Sequence, residues 1–235
     1  MLRRFGHGRL DEMPLPPALA FAATRLQTRN RRLGKRCPVL IFPTDSARVV
    51  DPVGAVAQLP RLWVRGAPPL AVILRESDDA KRRVLAEALA PLCRARRIRL
   101  LVANDAALAA RVRADGVHLS ESALRRRDVA VCGFRSTRTR VITAAAHSYL
   151  ALIRAARAGV DGALLSPAFA TRSHPDARPL GPVRFASLAH ALRRRGISTP
   201  IIALGGVSAS NARRLANAGA DGLAAIGALA RQPPP

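Results

Sequence analysis

The sequence predicts an α/β chain folded as a TIM (β/α)8 barrel, a single domain with a basic N-terminal extension. Three observations carry this. Eight short apolar runs recur between residues 37 and 229, most are separated by Ala/Leu/Arg segments at helical spacing, and several of those segments end at glycine. Strands that are apolar throughout and alternate with single helices imply parallel pairing with right-handed crossovers. Eight such units in about 200 residues fit a compact barrel. An open doubly wound sheet is the alternative.

Composition supports this class. A 235-residue chain with 49% hydrophobic residues can fill a core. Aromatics make up only 3%, so the core must come from Ala, Val, Leu and Ile, which suits helices packed on parallel strands. Cys37, Cys93 and Cys132 are odd in number and far apart, unlike a disulfide framework or a metal site, and read as buried thiols in a reducing compartment. Asp11, Glu12 and three prolines interrupt the apolar patch near the start, and no run of about 18 apolar residues follows. The expectation is a cytoplasmic chain with no membrane partner.

The formal net charge is +24, nearly all of it arginine, since Lys35 and Lys81 are the only lysines. Such charge attracts nucleic acid or anionic membranes, or it is an arginine-rich composition spread over solvated faces. The even spread along the chain and the shortage of aromatics for base stacking favour the second reading, so nucleic acid is not the expected partner. Clusters such as "RNRRLGKR" and "RARRIR" read as helix ends, where cations suit the dipole.

In chain order, residues 1–36 are the basic extension, with one helix expected over "PALAFAATRLQTRNRRL", and residues 37–231 are the barrel. The eight runs are "CPVLIFPTD" (37–45), "PLAVILRE" (69–76), "IRLLVAND" (98–105), "DGVHLSE" (115–121), "TRVITAAAHS" (139–148), "GVDGALLSPAF" (159–169), "TPIIALGGV" (199–207) and "ADGLAAIGAL" (220–229). Helical spacing follows in "DDAKRRVLAEALAPLCRAR", "DAALAARVRA", "SYLALIRAARAG", "PVRFASLAHALRRRG" and "SASNARRLANAG".

In a TIM barrel the C-terminal strand ends form the active-site mouth. That rim would receive Thr44, Asp45, Arg75, Glu76, Asn104, Asp105, His118, Glu121, His147, the loop from Ser166 onward, Gly205, Gly206 and Gly227. "ALGGVSASN" sets two glycines before a helix capped by Ser208 or Ser210, and "AAIGAL" repeats the glycine turn, an arrangement for binding phosphate between the last two loops or simply for turning tightly. Asn104 and Asp105 read equally as a Mg²⁺ and diphosphate site or as an Asx cap on the next helix. Arg75 suits a phosphate fork or an ion pair with Glu76 or Asp105. His118 reads as a structural histidine, and His147 as either a mouth residue or a neighbour of a helix cap. No Ser-His-Asp, paired-carboxylate or Cys/His metal spacing stands out.

Four ordered blocks resemble the thiamine phosphate synthase / TenI family over residues 37 to 230: "VILRES", "NDAALAARVRADGVHLSE", "SPAFATRSHPDARPLG" and "PIIALGGVSASNARRLANAGADGLAAI". The resemblance implies a barrel that condenses hydroxymethylpyrimidine diphosphate with thiazole phosphate, using Mg²⁺, to give thiamine phosphate and pyrophosphate. It assigns Arg75, Asn104 and His174 to the chemistry and Asp105 and Glu121 to the metal. It gives Thr171, Arg172, Ser173, Gly181, Gly205, Gly206, Ile226 and Gly227 to phosphate and substrate binding. The partners it implies are small phosphorylated pyrimidines and thiazoles, with a homodimer possible. Departures from the family pattern fall mostly on the diphosphate side: Ile73 stands for a glutamine, Ser77 and His174 for lysines, Ala123 for an acidic metal ligand and Ala145 for a serine. The alternative they leave open is an altered TenI-like barrel that binds a thiazole phosphate or thiamine phosphate in a tautomerase or regulatory role.

Overall fold

The computed structural model describes residues 17–32, 37–46, 48–60, 70–126, 140–171 and 176–229. Eight parallel strands close into a barrel in sequence order. They are β1 (Leu40–Pro43), β2 (Leu70–Leu74), β3 (Arg99–Ala103), β4 (Gly116–Leu119), β5 (Val141–Ala146), β6 (Gly162–Leu165), β7 (Ile201–Leu204) and β8 (Gly222–Ala224). β8 pairs back onto β1 through Leu40 with Leu223 and Ile41 with Ala224. The barrel therefore replaces the alternative of an open sheet, and none of the described strands is left with an unpaired edge.

The described helices are α1 (Pro17–Arg32), α2 (Pro52–Gln58), α3 (Asp79–Ala95), α4 (Ala106–Arg111), α5 (Glu121–Arg126), α6 (Tyr149–Arg157), α7 (Gly181–Arg194) and α8 (Ala212–Asn217). α2 and α5, of seven and six residues, are not among the segments that helical spacing picks out. α1 lies in the basic extension and packs on α8 and β8. Its Leu19, Ala22, Ala23 and Leu26 are buried, so this amphipathic helix shares the outer core of the barrel.

Alternation along the strands sorts the apolar residues into two cores. Leu40, Phe42, Val72, Leu74, Leu100 and Val102 face the helices within the larger cluster. Ile41, Ala71, Ile73, Leu101, Leu164 and Ile202 form a smaller plug within the barrel.

The N-terminal face is tied by a device repeated three times. Asp115, Asp161 and Asp221 each precede a strand-opening glycine. Each donates its N–H to the carbonyl of Leu100, Ile142 or Ile201 on the preceding strand, at 2.9, 2.7 and 2.7 Å. Its Oδ2 accepts the N–H of that same residue at 2.8, 2.8 and 2.9 Å. The following glycines leave no room for a side chain: a Cβ on Gly116 would lie 2.0 Å from the Val141 carbonyl oxygen, and one on Gly162 would lie 2.3 Å from Cys37 Sγ. Asp221 is almost fully buried and also meets Arg193 at 2.6 Å.

Candidate active site

Arg75 follows β2 directly and is fixed by its own backbone. Its N–H donates to Thr44 Oγ1 at 2.9 Å, while Thr44 N–H donates to the Ile73 carbonyl at 2.8 Å, so the ends of β1 and β2 lock together. Arg75 then lines a cleft of about 440 Å³ with Asp45, Ser46, Glu76, Ser77, Arg82 and Asn104.

Asn104 holds a left-handed backbone, φ 55°, directly after β3. Its N–H donates to the His118 carbonyl at 2.9 Å and its Oδ1 accepts the Ser120 N–H at 2.8 Å. With Oδ1 committed, the group it has left is the Nδ2 donor, which suits an anionic oxygen. Asp105 caps α4 by accepting the Leu108 N–H at Oδ1, 2.8 Å. Its Oδ2 meets Arg82 at 3.4 Å. The cap and the charge-bearing role therefore use different oxygens, and the two readings of this residue are compatible.

Arg82 was not visible in the sequence as a rim residue. It sits on the first turns of α3 and reaches back to the strand ends, donating to the Glu76 carbonyl at 3.0 Å and to Asp79 at 2.6 Å besides meeting Asp105. Its side chain is 15% exposed, and its buried Nε has no hydrogen-bond partner among the described residues. A seven-residue offset from Arg75 within an arginine-rich helix carries no local signal that would single it out.

His118 faces the barrel interior, in register with Ala103 and Thr143, and its Nδ1 lies 2.9 Å from Thr143 Oγ1. Burial, and then the positive charge of Arg75, push its pKa down to about 3. It is a neutral cap on the apolar plug, as its sequence context suggested. Glu121 begins α5 and joins a separate cluster at the ends of β4 and β5. Its Oε2 meets the His147 ring at 3.0 Å and its Oε1 meets Arg154 at 2.8 Å, with Arg125 at 3.8 Å. Burial alone would raise its pKa, but the His147 hydrogen bonds and the charges of His147 and Arg125 outweigh that and leave it below the usual carboxylate range.

The far side of the mouth is made from backbone. Ala168 N–H donates to the Leu204 carbonyl at 2.8 Å and Phe169 N–H to the Gly205 carbonyl at 3.0 Å, while Gly181 N–H returns to the Ala168 carbonyl at 2.9 Å. The start of the Ser166 loop is thereby zipped to the β7 turn. Gly205 and Gly206 have φ of 96° and 61°, and a Cβ on Gly206 would lie 2.4 Å from the Ala170 carbonyl oxygen. Asn211, not Ser208 or Ser210, stands at the N-cap of α8. It braces the turn by accepting the Ser208 N–H at 2.9 Å and donating to the Gly206 carbonyl at 2.8 Å, while the two serines pair with each other. Ile226 and Gly227 follow β8 in the neighbouring turn. Thr171 is half-buried at the loop's edge; Arg172, Ser173 and His174 lie outside the described residues, as does Cys132.

A family model described as thiamine monophosphate synthase matches residues 58–229. The chain belongs to the thiamine monophosphate synthase family. The thiamine-phosphate synthase of Methylobacillus flagellatus is 36% identical over 187 residues, covering 79% of this chain and 82% of that protein. That of Geobacillus kaustophilus is 35% identical over 160 residues, covering 66% of this chain and 67% of the other. The solved thiamine phosphate pyrophosphorylase from Pyrococcus furiosus shares the fold, with a TM-score of 0.58 and 23% identity over 80% of this chain and 84% of that one. The family and fold expected from the four blocks are borne out, and with them a synthase-like transferase class in thiamine biosynthesis.

Within this thiamine monophosphate synthase barrel, two of the departures acquire structural reasons. Ile73, 1% exposed, belongs to the inner plug one alternation below Arg75. Ala123 is buried in α5 and donates its N–H to Ser120 Oγ at 3.1 Å. Both positions have become packing positions. No group of three His, Cys, Asp or Glu side chains among the described residues is placed to hold a metal ion. The donor set still suits Mg²⁺ that arrives with a diphosphate, because that ion binds through one or two carboxylates plus substrate phosphates, and the Asp105 Oδ2, which meets only Arg82 at 3.4 Å among the described residues, is the oxygen that would serve it. No described helix is long and apolar enough to cross a membrane.

Proposed function

We propose that residues 37–231, carrying the basic extension 1–36, form a synthase that joins hydroxymethylpyrimidine diphosphate to thiazole phosphate. The observation that carries this reading is the pairing of two unlike halves around one mouth. A cleft with two arginines opens at the ends of β2 and β3, and a glycine-built turn follows β7 at the same end of the barrel.

The bond between the pyrimidine methylene carbon and the diphosphate oxygen breaks, and the electron pair leaves with pyrophosphate. The thiazole nitrogen then supplies its lone pair to the methylene carbon, giving thiamine phosphate. Arg75 and the Asn104 Nδ2 group bind the diphosphate, stabilising the charge that builds on the leaving group. Asp105 would hold Mg²⁺ through Oδ2, and the ion's chemistry is neutralisation of the diphosphate. Glu121 joins such a site only by giving up its bonds to His147 and Arg154. Gly205, Gly206, Ile226 and Gly227 offer backbone to the thiazole phosphate, aided by Gly181, and Thr171, Arg172, Ser173 and His174 close over it from the Ser166 loop. We assign the chain to the cytoplasm, with a homodimer as its possible assembly and no nucleic-acid partner.

A second reading rests on the burial of Ile73 and Ala123, which removes two polar groups from the diphosphate side: a barrel that binds thiazole phosphate or thiamine phosphate without condensing it. Incubating the purified chain with both precursors and Mg²⁺ separates the two. Formation of thiamine phosphate supports the synthase; binding of thiazole phosphate with no product from folded protein supports the second reading.

A further inference from the structure

We propose that the N-terminal face of the barrel, opposite the candidate active site, carries a separate site for a multivalent phosphate anion of diphosphate size. A pocket of about 220 Å³ opens there, where α3 turns into β3 and α4 turns into β4. It has room for roughly seven water molecules at about 30 Å³ each. Arg94, Arg97, Arg99 and Arg113 line it, and among the described residues Asp115 is its one acidic lining residue. Asp115 already accepts the Leu100 N–H in the strand latch. Positive charge is in clear excess, and guanidinium groups bind phosphate as planar forks.

The backbone supplies an independent reason. Five of the described helices end in the same Schellman turn, in which two N–H groups fold back onto the last carbonyls and one residue adopts a left-handed conformation. α6, α7 and α8 place glycine there: Gly159, Gly196 and Gly219, with φ of 68°, 71° and 90°. α3 and α4 place Arg97 and Arg113 there instead, with φ of 53° and 54°. The turns are otherwise alike. Arg97 N–H bonds to the Arg94 carbonyl at 3.1 Å and Ile98 N–H to that of Cys93 at 2.8 Å; Arg113 N–H bonds to Ala110 at 3.1 Å and Ala114 N–H to Ala109 at 2.8 Å. A Cβ makes the left-handed conformation unfavourable. The chain thus accepts strain at two positions that it solves with glycine elsewhere, and both side chains line one pocket. Strain kept where a local remedy is in use nearby points to a task for the side chain.

The occupant is a small oligophosphate and not a nucleic-acid strand, because the pocket has the volume of only about seven waters and no aromatic side chain among the described residues lines it for base stacking. Arg99 and Asn104 lie five residues apart along β3, about 16 Å at ~3.3 Å per residue, so the site is distinct from the mouth.

Calorimetric titration of the full chain with inorganic pyrophosphate, without added metal and in an Arg75→Ala background that weakens the mouth's grip on diphosphate, tests this. A binding event that survives in this background is expected. Adding Arg97→Gly and Arg113→Gly should weaken it by about ten-fold or more, while the ligand-free Tm holds or rises as strain is released. Should the glycine pair fail to fold, Arg97→Asn with Arg113→Asn gives the same readout, since asparagine tolerates this conformation. The proposal is overturned by an unchanged titration, by a ligand-free Tm lower by more than about 4 °C, or by a single-stranded oligonucleotide that binds these arginines more tightly than pyrophosphate does.

Discussion

Asp105 divides its two jobs between two oxygens, so substitutions can separate them. Oδ1 caps α4 through the Leu108 N–H at 2.8 Å, and Oδ2, beside Arg82 at 3.4 Å, carries the charge that would hold Mg²⁺ against the diphosphate. Asp105→Asn keeps a good capping acceptor and removes the charge, whereas Asp105→Ala removes both. Losing an N-cap costs about 1 kcal/mol. For a chain of this size that lowers Tm by roughly 2–4 °C. The partly exposed pair with Arg82 adds at most about 1 kcal/mol in either variant. Weakening the hold on the ion that would neutralise the leaving group costs roughly 2.7–4 kcal/mol of transition-state stabilisation, as for loss of one electrostatic contact, a fall of about 10²–10³ in kcat. Both variants should therefore lose synthase activity to that extent, with Asp105→Ala melting a few degrees below Asp105→Asn. The assay is thiamine phosphate formation at saturating precursors, paired with thermal melts followed by circular dichroism. An Asp105→Asn protein with kcat close to the parent's refutes the charge role and leaves Asp105 as a helix cap.

Three further outcomes are expected. His118 is held neutral with its pKa lowered to about 3, so the unfolded chain takes up a proton that the folded one refuses; the stability this represents is present above the unfolded pKa near 6.5 and is lost as pH falls towards 3, at up to about 1.4 kcal/mol per pH unit. Denaturant melts between pH 6.5 and 4 should show a shallower acid slope for His118→Gln, and identical slopes would refute the assignment. Gly206→Ala, which drives a Cβ against the Ala170 carbonyl oxygen and strains a left-handed turn, should raise KM for thiazole phosphate far more than for the pyrimidine substrate; equal KM changes would place the thiazole phosphate elsewhere. Asp221→Ala breaks a buried pair with Arg193 and one strand latch, so chemical denaturation should register a loss of about 3–5 kcal/mol, and a loss below about 1 kcal/mol would show that the latches contribute little.

Much of the fold was legible because its signals are local. Each apolar run reports a strand buried on both faces, and the polar residues that end it report rim positions, as Arg75 does after β2 and Asn104 and Asp105 do after β3. The triple Asp-Gly latch was equally present in the sequence at positions 115, 161 and 221. Its meaning stayed hidden, since a strand-opening aspartate shows its purpose only when the preceding strand lies beside it.

By itself the sequence determined that eight β/α units follow a basic extension, that they resemble one family, and that the chemistry gathers at one end of the strands. Only the tertiary structure decided which groups meet there. It brought Arg82 from α3 onto Asp105, 23 residues away, drew Glu121 to His147 and Arg154, and sealed Ile73 inside the barrel directly below Arg75. The physical reason is that strand periodicity is fixed over a few neighbouring residues. Charge pairing and burial at a barrel mouth depend instead on closure, on shear between strands, and on how far each long side chain reaches back across the rim.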